Sequence, residues 1–77
     1  MKKYLWLMGK LSELKTEKPG LFNEEKIRYE MGAVHDYDDY ELIMKINNCT
    51  ENIIRSNPIL YMAINREAWF RNIAGNK

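Results

Sequence analysis

The chain has 77 residues, 45% of them hydrophobic and 30% charged, and its formal net charge is +1. Length allows one domain, residues 1–77, and the apolar content with so little net charge excludes a wholly disordered chain. A near-neutral balance disfavours a protein held on nucleic acid or anionic lipid by bulk electrostatics.

Residues 3–16 read as the first helix. Tyr4, Leu7, Met8, Leu11 and Leu14 recur at spacings that give one apolar stripe. Gly9 interrupts it and is placed to let another helix come close. Pro19-Gly20 ends the element. A second helix is expected over residues 24–34. Asn23 is its N-cap, and Phe22 and Ile27 have the spacing of a hydrophobic staple. Ile27, Met31 and Val34 share one face, and Gly32 weakens the end.

Residues 39–55 read as the third helix. Asp38 and Glu41 have capping-box spacing, with Asp in place of Ser or Thr. Leu42, Ile46, Cys49 and Ile53 form the stripe, which Ile43 and Ile54 widen. Asn47-Asn48 marks a point where this helix can break, with Thr50 capping the continuation. The fourth helix is expected over residues 58–73. Asn57 is its N-cap, Pro58 takes the first helical position, and Gly75 marks the end. Ile59, Met62, Trp69 and Ile73 share a face, widened by Leu60, Ala63, Ile64 and Phe70. No strand pattern or hairpin signal occurs. The connections are short, as between antiparallel neighbours. The expected fold is all-α, a compact bundle of three to four short antiparallel helices.

A domain this small gains only about 3–5 kcal/mol from its core and usually adds disulfides, metal or a partner. Cys49 is the only cysteine, so no intrachain disulfide forms. Cys49 and His35 fall short of the four ligands of a structural zinc, and neither a metal nor a cofactor is expected. The apolar run Tyr4–Met8 is shorter than the roughly 7–15 residues of a signal peptide, and no membrane span is expected. The expected compartment is the cytoplasm. Enrichment in residues with AT-rich codons (Ile, Asn, Lys, Glu, Tyr, Met) suits a gene of an AT-rich bacterium, its phage or another mobile element.

The net charge conceals a pattern. Residues 1–20 carry five Lys and two Glu; residues 21–45 carry three basic and seven acidic residues; residues 46–77 carry four basic and two acidic. An acidic island therefore lies between basic flanks. It is densest at His35-Asp36-Tyr37-Asp38-Asp39-Tyr40-Glu41. Acidic residues at a helix start are favoured by the helix dipole, which accounts for part of this density. The tyrosines point to a second role, since Tyr adds interface area at little entropy cost.

Catalytic equipment is sparse. His35 is the only histidine, no glycine-rich phosphate loop occurs, and there is no Cys-x-x-Cys or His-Glu-x-x-His. Residues 24–34 and 39–55 could form a helix-turn-helix, yet the second helix opens with Asp38, Asp39 and Glu41, which repel phosphate. The adjacent Trp69 and Phe70 diverge by about 100° around a helix, so a small bundle cannot easily bury both. Trp6 beside Leu7 poses the same problem.

These features describe a non-enzymatic protein–protein interaction module, an adaptor or inhibitor. Asp36, Tyr37, Asp38, Asp39, Tyr40 and Glu41 are its candidate contact to a partner with a basic surface. Trp6, Trp69 and Phe70 are candidate interface residues, towards that partner or in a homodimer. The alternatives are a small DNA-binding regulator using the basic terminal regions, and an oligomeric assembly or structural factor.

Overall fold

The computed structural model describes residues 2–73. These residues form an all-α bundle, with no strand among them. Helix α1 spans Lys2–Glu17, α2 Glu24–His35, α3 Asp39–Asn48, α4 Glu51–Ser56 and α5 Pro58–Arg71; a short 3-10 turn covers Pro19–Leu21.

Helix α1 buries Tyr4, Leu7, Leu11 and Leu14. Met8, expected in the same stripe, is exposed, because the three-four-three spacing of the buried four leaves it on the flank. Gly9 does not mediate close packing: a Cβ there would meet nothing within 4 Å. After the 3-10 turn, Phe22 and Ile27 bury together around the start of α2. The Asn23 side chain accepts from the Lys26 N–H at 3.1 Å and closes the cap. Gly32 does not shorten α2, which runs on to His35.

The stretch 39–55 is two helices rather than one. Asp38 Oδ1 accepts from the Glu41 N–H at 2.7 Å and starts α3. The backbone turns extended at Cys49, and Thr50 Oγ1 accepts from the Ile53 N–H at 3.3 Å to start α4. This is the break that Asn47-Asn48 marks in the sequence. It also resets the helical phase. Leu42, Ile46 and Cys49 continue one buried stripe, but beyond the break Ile54 takes the core position and Ile53 turns outward.

Helix α5 touches every other α-helix of the bundle. Tyr61, Met62, Ala63 and Ile64 are consecutive and all buried, so the middle of the helix is covered around most of its circumference. That enclosure is why no single stripe describes it. Asn57 precedes Pro58 but its side chain does not cap α5; Nδ2 donates to the Ile53 carbonyl of α4 at 3.2 Å instead. The helix ends before residue 73. Asn72 takes the left-handed conformation, φ 60°, and Ile73 N–H donates to Ala68 O at 3.3 Å. The expected stop at Gly75 lies outside the described residues.

Ion pairs fasten the helices from outside. Arg66 forms a two-pronged pair with Glu24, its Nη1 and Nη2 donating at 3.1 and 2.8 Å. Its neighbour Glu67 meets His35. Two successive residues of α5 thus grip opposite ends of α2, which are separated by roughly 16 Å of helix. Lys10 and Arg55 both meet Glu51, and Arg55 also reaches Glu17, so α4 is tied to α1.

Candidate functional site

The acidic island occupies the corner between α2 and α3, and its residues have unlike surroundings. Asp38 is the cap of α3. Asp39 Oδ1 accepts from Arg71 Nη1 at 2.9 Å and is neutralised there. Tyr37 is half-buried, packs against the core and carries Lys45 Nζ 5.6 Å from its ring centre. Asp36 and Glu41 are exposed and, among the described residues, have no ion-pair partner. Tyr40 projects into solvent. The six residues therefore divide into three that build the corner (Tyr37, Asp38, Asp39) and three that remain free on it.

The aromatic candidates also divide. Trp6 is half-buried against the core, with Lys3 Nζ 4.0 Å and Lys10 Nζ 6.0 Å from its ring centre. Such contacts satisfy an indole face, so Trp6 is the least available of the three. Trp69 and Phe70 are both open to solvent, and with Tyr40 each stands 71% exposed. The Arg71–Asp39 pair brings the last turn of α5 against the first turn of α3. Tyr40 and Phe70 each lie one residue from that pair, at the same end of the molecule. Trp69 sits about 160° around α5 from Arg71, so the aromatic surface begins beside the corner and wraps to its far side.

The tertiary structure assembles a cluster from residues of α2 and α5 that lie more than 30 positions apart in the chain. Glu67 is a carboxylate only 7% exposed in its side chain. Arg71 Nε donates to its Oε2 at 2.8 Å, and His35 Nδ1 lies 3.2 Å from the same oxygen. Arg71 Nη2 donates to the His35 carbonyl at 2.9 Å. The hydrogen bond to Glu67, reinforced by Asp39, pushes the Arg71 guanidinium above its ordinary range. A signal for part of this exists in the sequence: Glu67 and Arg71 have i, i+4 spacing with the acid first, the favourable order.

A histidine against a buried carboxylate is a proton-handling pair in many enzymes. Here the same carboxylate is held by Arg71. The arrangement fastens the C-terminal ends of α2 and α5 together. Cys49 is buried, its Sγ donates to the Ile46 carbonyl at 3.1 Å, and burial pushes its thiol up. Among the described residues no group of three His, Cys, Asp or Glu is placed to hold a metal ion. No helix among them is long and apolar enough to cross a membrane.

Besides a shallow groove of about 380 Å³ on α1 at Ser12, Glu13, Thr16 and Glu17, two open grooves lie between helices among the described residues. One, of about 350 Å³, lies between α2 and the start of α5, lined by Glu25, Lys26, Tyr29, Glu30 and Ile59. The other, also about 350 Å³, lies between α3, α4 and α5 and begins at Glu41, at the edge of the acidic corner. No protein-family model, no curated protein and no solved structure matches this chain.

Proposed function

We propose that this protein is a non-enzymatic protein–protein interaction module, an adaptor or inhibitor that covers a basic surface of its partner. One observation carries the reading. Three large aromatics, Tyr40, Trp69 and Phe70, stand 71% exposed, and Tyr40 and Phe70 are chain neighbours of the paired Asp39 and Arg71. Exposed aromatics of this size are frequent anchors of protein interfaces, because they bury much area and lose little entropy. The exposed carboxylates Asp36 and Glu41 lie within four residues of Tyr40 in the chain and favour a basic partner.

The C-terminal arginines support the protein reading over a nucleic-acid one. Arg55, Arg66 and Arg71 are all paired with carboxylates of the same chain, and Lys10 meets Glu13 and Glu51, whereas Lys2, Lys15 and Lys18 make no ion pair among the described residues. A phosphate would have to displace these partners. Lys77, the remaining basic residue of the C-terminal region, lies outside the described residues.

The test is a comparison of two variants in affinity capture from a lysate of the native host. The chain with Tyr40→Ser, Trp69→Ser and Phe70→Ser is expected to lose its captured protein while keeping the wild-type circular dichroism spectrum. Tyr29→Ser, which removes an exposed aromatic elsewhere, is expected to keep it. Equal recovery with both variants rejects the aromatic end as the contact. Salt-sensitive retardation of duplex DNA by the wild-type chain, lost on Arg→Gln substitution, turns the assignment to a nucleic-acid binder.

A further inference from the structure

The outward face of α1 has a composition that the packing of a single chain does not explain. Opposite the buried Tyr4, Leu7, Leu11 and Leu14 stand Lys2, Leu5, Gly9, Ser12, Glu13 and Thr16, all exposed. Between Lys2 and Glu13, roughly 16 Å of helix, this strip carries no charge. Leu5 stands 57% exposed on it and Met8 is exposed at its edge. Gly9 lies at its middle. A glycine inside a helix weakens it relative to alanine. Nothing within the chain requires one here, since a Cβ would meet nothing within 4 Å. Glycine does serve where a second backbone comes close from outside.

Beyond Gly9 the strip sinks into the shallow groove of about 380 Å³ lined by Ser12, Glu13, Thr16 and Glu17. Four residues on two successive turns make the kind of hole into which a facing helix sets one side chain. Leu5 is such a side chain, with no cover from its own chain. The charges of α1 are ordered along the same face. At the start, Lys2 has no ion-pair partner among the described residues. Towards the end, Glu13, Glu17 and the nearby Glu51 share Lys10 and Arg55, three carboxylates to two cations. Lys15 lies on the other flank of α1, near Glu24. One end of the strip is therefore positive and the other negative.

We propose that α1 pairs with α1 of a second copy of this chain, antiparallel and crossing at Gly9. A twofold axis there sets Leu5 of each copy opposite Glu13 of the other, and Lys2 opposite Thr16. Leu5 then enters the partner's groove, and Lys2 falls between Glu13 and Glu17. The face is complementary to itself, and that selects the occupant. A parallel pair sets Lys2 on Lys2 and Glu13 on Glu13, and a helix of one charge meets its own sign at one end of the strip. A helix contact about 24 Å long is smaller than a standard interface, so the pairing is weak and the dilute chain is a monomer. In that dilute state Gly9→Ala acts on α1 alone. The pairing uses none of Tyr40, Trp69 and Phe70, which stay open to another partner.

Sedimentation equilibrium of the full chain between about 10 µM and about 1 mM is expected to show monomer giving way to dimer, with concentration-dependent amide shifts at residues 2–17. Leu5→Ser is expected to weaken the dimer at least about tenfold. Lys2→Glu weakens it about fivefold, and adding Glu13→Lys to that chain restores most of the loss. These positions are exposed, so each variant keeps the wild-type circular dichroism spectrum. Cysteine crosslinking reads the register. Gly9→Cys is expected to form a disulfide dimer by itself under mild oxidation. Lys2→Cys and Thr16→Cys crosslink at least about tenfold faster when mixed than either does alone. The native Cys49 is buried and does not compete.

A chain that stays monomeric up to about 1 mM overturns the assignment. A dimer that Leu5→Ser and Lys2→Glu leave unchanged overturns it as well. Lys2→Cys crosslinking to itself marks a parallel pair, and shifts centred on Tyr40, Trp69 and Phe70 mark a dimer formed by the aromatics; either result overturns it too. Capture of a protein partner bears only on the aromatic contact, so the two readings stand or fall separately.

Discussion

Arg71 reaches from the last turn of α5 to Asp39 on the first turn of α3, its Nη1 donating to Oδ1 at 2.9 Å. The same guanidinium donates to the buried Glu67 carboxylate and to the His35 carbonyl. One side chain therefore sets the corner that carries the acidic segment against the helix that carries Trp69 and Phe70. Arg is suited to this because its planar fork serves three acceptors at fixed angles.

Loss of that fork leaves Glu67 with His35 alone. Arg71→Met is expected to destabilise the fold by about 2–3 kcal/mol, since a buried charge loses its principal partner. Arg71→Lys recovers part of this, because an ammonium cannot reach all three acceptors together. Asp39→Asn costs less than about 1 kcal/mol, as expected of an exposed partner. Urea denaturation of the three variants gives the ranking. A loss below about 1 kcal/mol for Arg71→Met contradicts the role given to Glu67.

Gly9 lies inside α1 with open space where a Cβ would stand. Gly9→Ala is expected to stabilise the protein by about 0.5–1 kcal/mol through reduced entropy of the unfolded chain. For a domain of this size the melting temperature rises by about 4–8 °C per kcal/mol. A lowered melting temperature would show that another chain packs on this face in solution.

Acid should loosen the ion pairs that bind α2 to α5 and α4 to α1. The Arg66 hydrogen bond and charge hold the Glu24 carboxyl below its ordinary value of 4.5, and Arg55 with Lys10 does the same for Glu51. Each folded carboxyl binds fewer protons than its unfolded counterpart near that pH. Its contribution is present above the ordinary value and is lost as pH falls through the lowered folded one. Urea midpoints measured between about pH 6 and pH 3 should fall less steeply for Arg66→Gln than for the wild type. Parallel profiles would mean that the pair contributes nothing to folding.

Cys49 is predicted to be inert in the native state. Burial removes access and raises the thiol above its ordinary 9.0, so at neutral pH the thiolate is scarce. Alkylation at pH near 8 should be at least about a hundredfold slower than in urea-unfolded protein, and should quicken with destabilising variants. A raised folded value also means a stabilising contribution present below 9.0 and lost as pH climbs through the folded value. Fast labelling of a fully folded chain would place the thiol at the surface.

Local chemistry was legible in the sequence where a short stretch decides the outcome. The Asn23 and Asp38 caps, the Phe22–Ile27 staple and Pro58 at the start of α5 are all written in neighbouring residues. Thr50 is likewise a recognisable cap, but whether Asn47-Asn48 breaks a helix depends on what the next turn packs against. The phase reset that turns Ile53 outward and Ile54 inward follows from that choice, and no single periodicity over residues 39–55 contains it.

The candidate site was legible only as an inventory. Composition places acid and tyrosine at 36–41 and aromatics at 69–70, and the divergence of Trp69 from Phe70 follows from helical geometry. The side chains that remain free are a matter of pairing across the chain. Asp39 is neutralised by a residue 32 positions away, and Arg66 by one 42 positions away. The sequence by itself determined an all-α chain, most of its helix starts and a patterned surface, because these depend on hydrogen bonds and periodicity within a few residues. Tertiary structure decided that Trp6 is half-buried while Trp69 and Phe70 stand open, and that Glu67 is enclosed beside Arg71. Those outcomes depend on which helix faces meet, and burial is settled only when the whole core has closed.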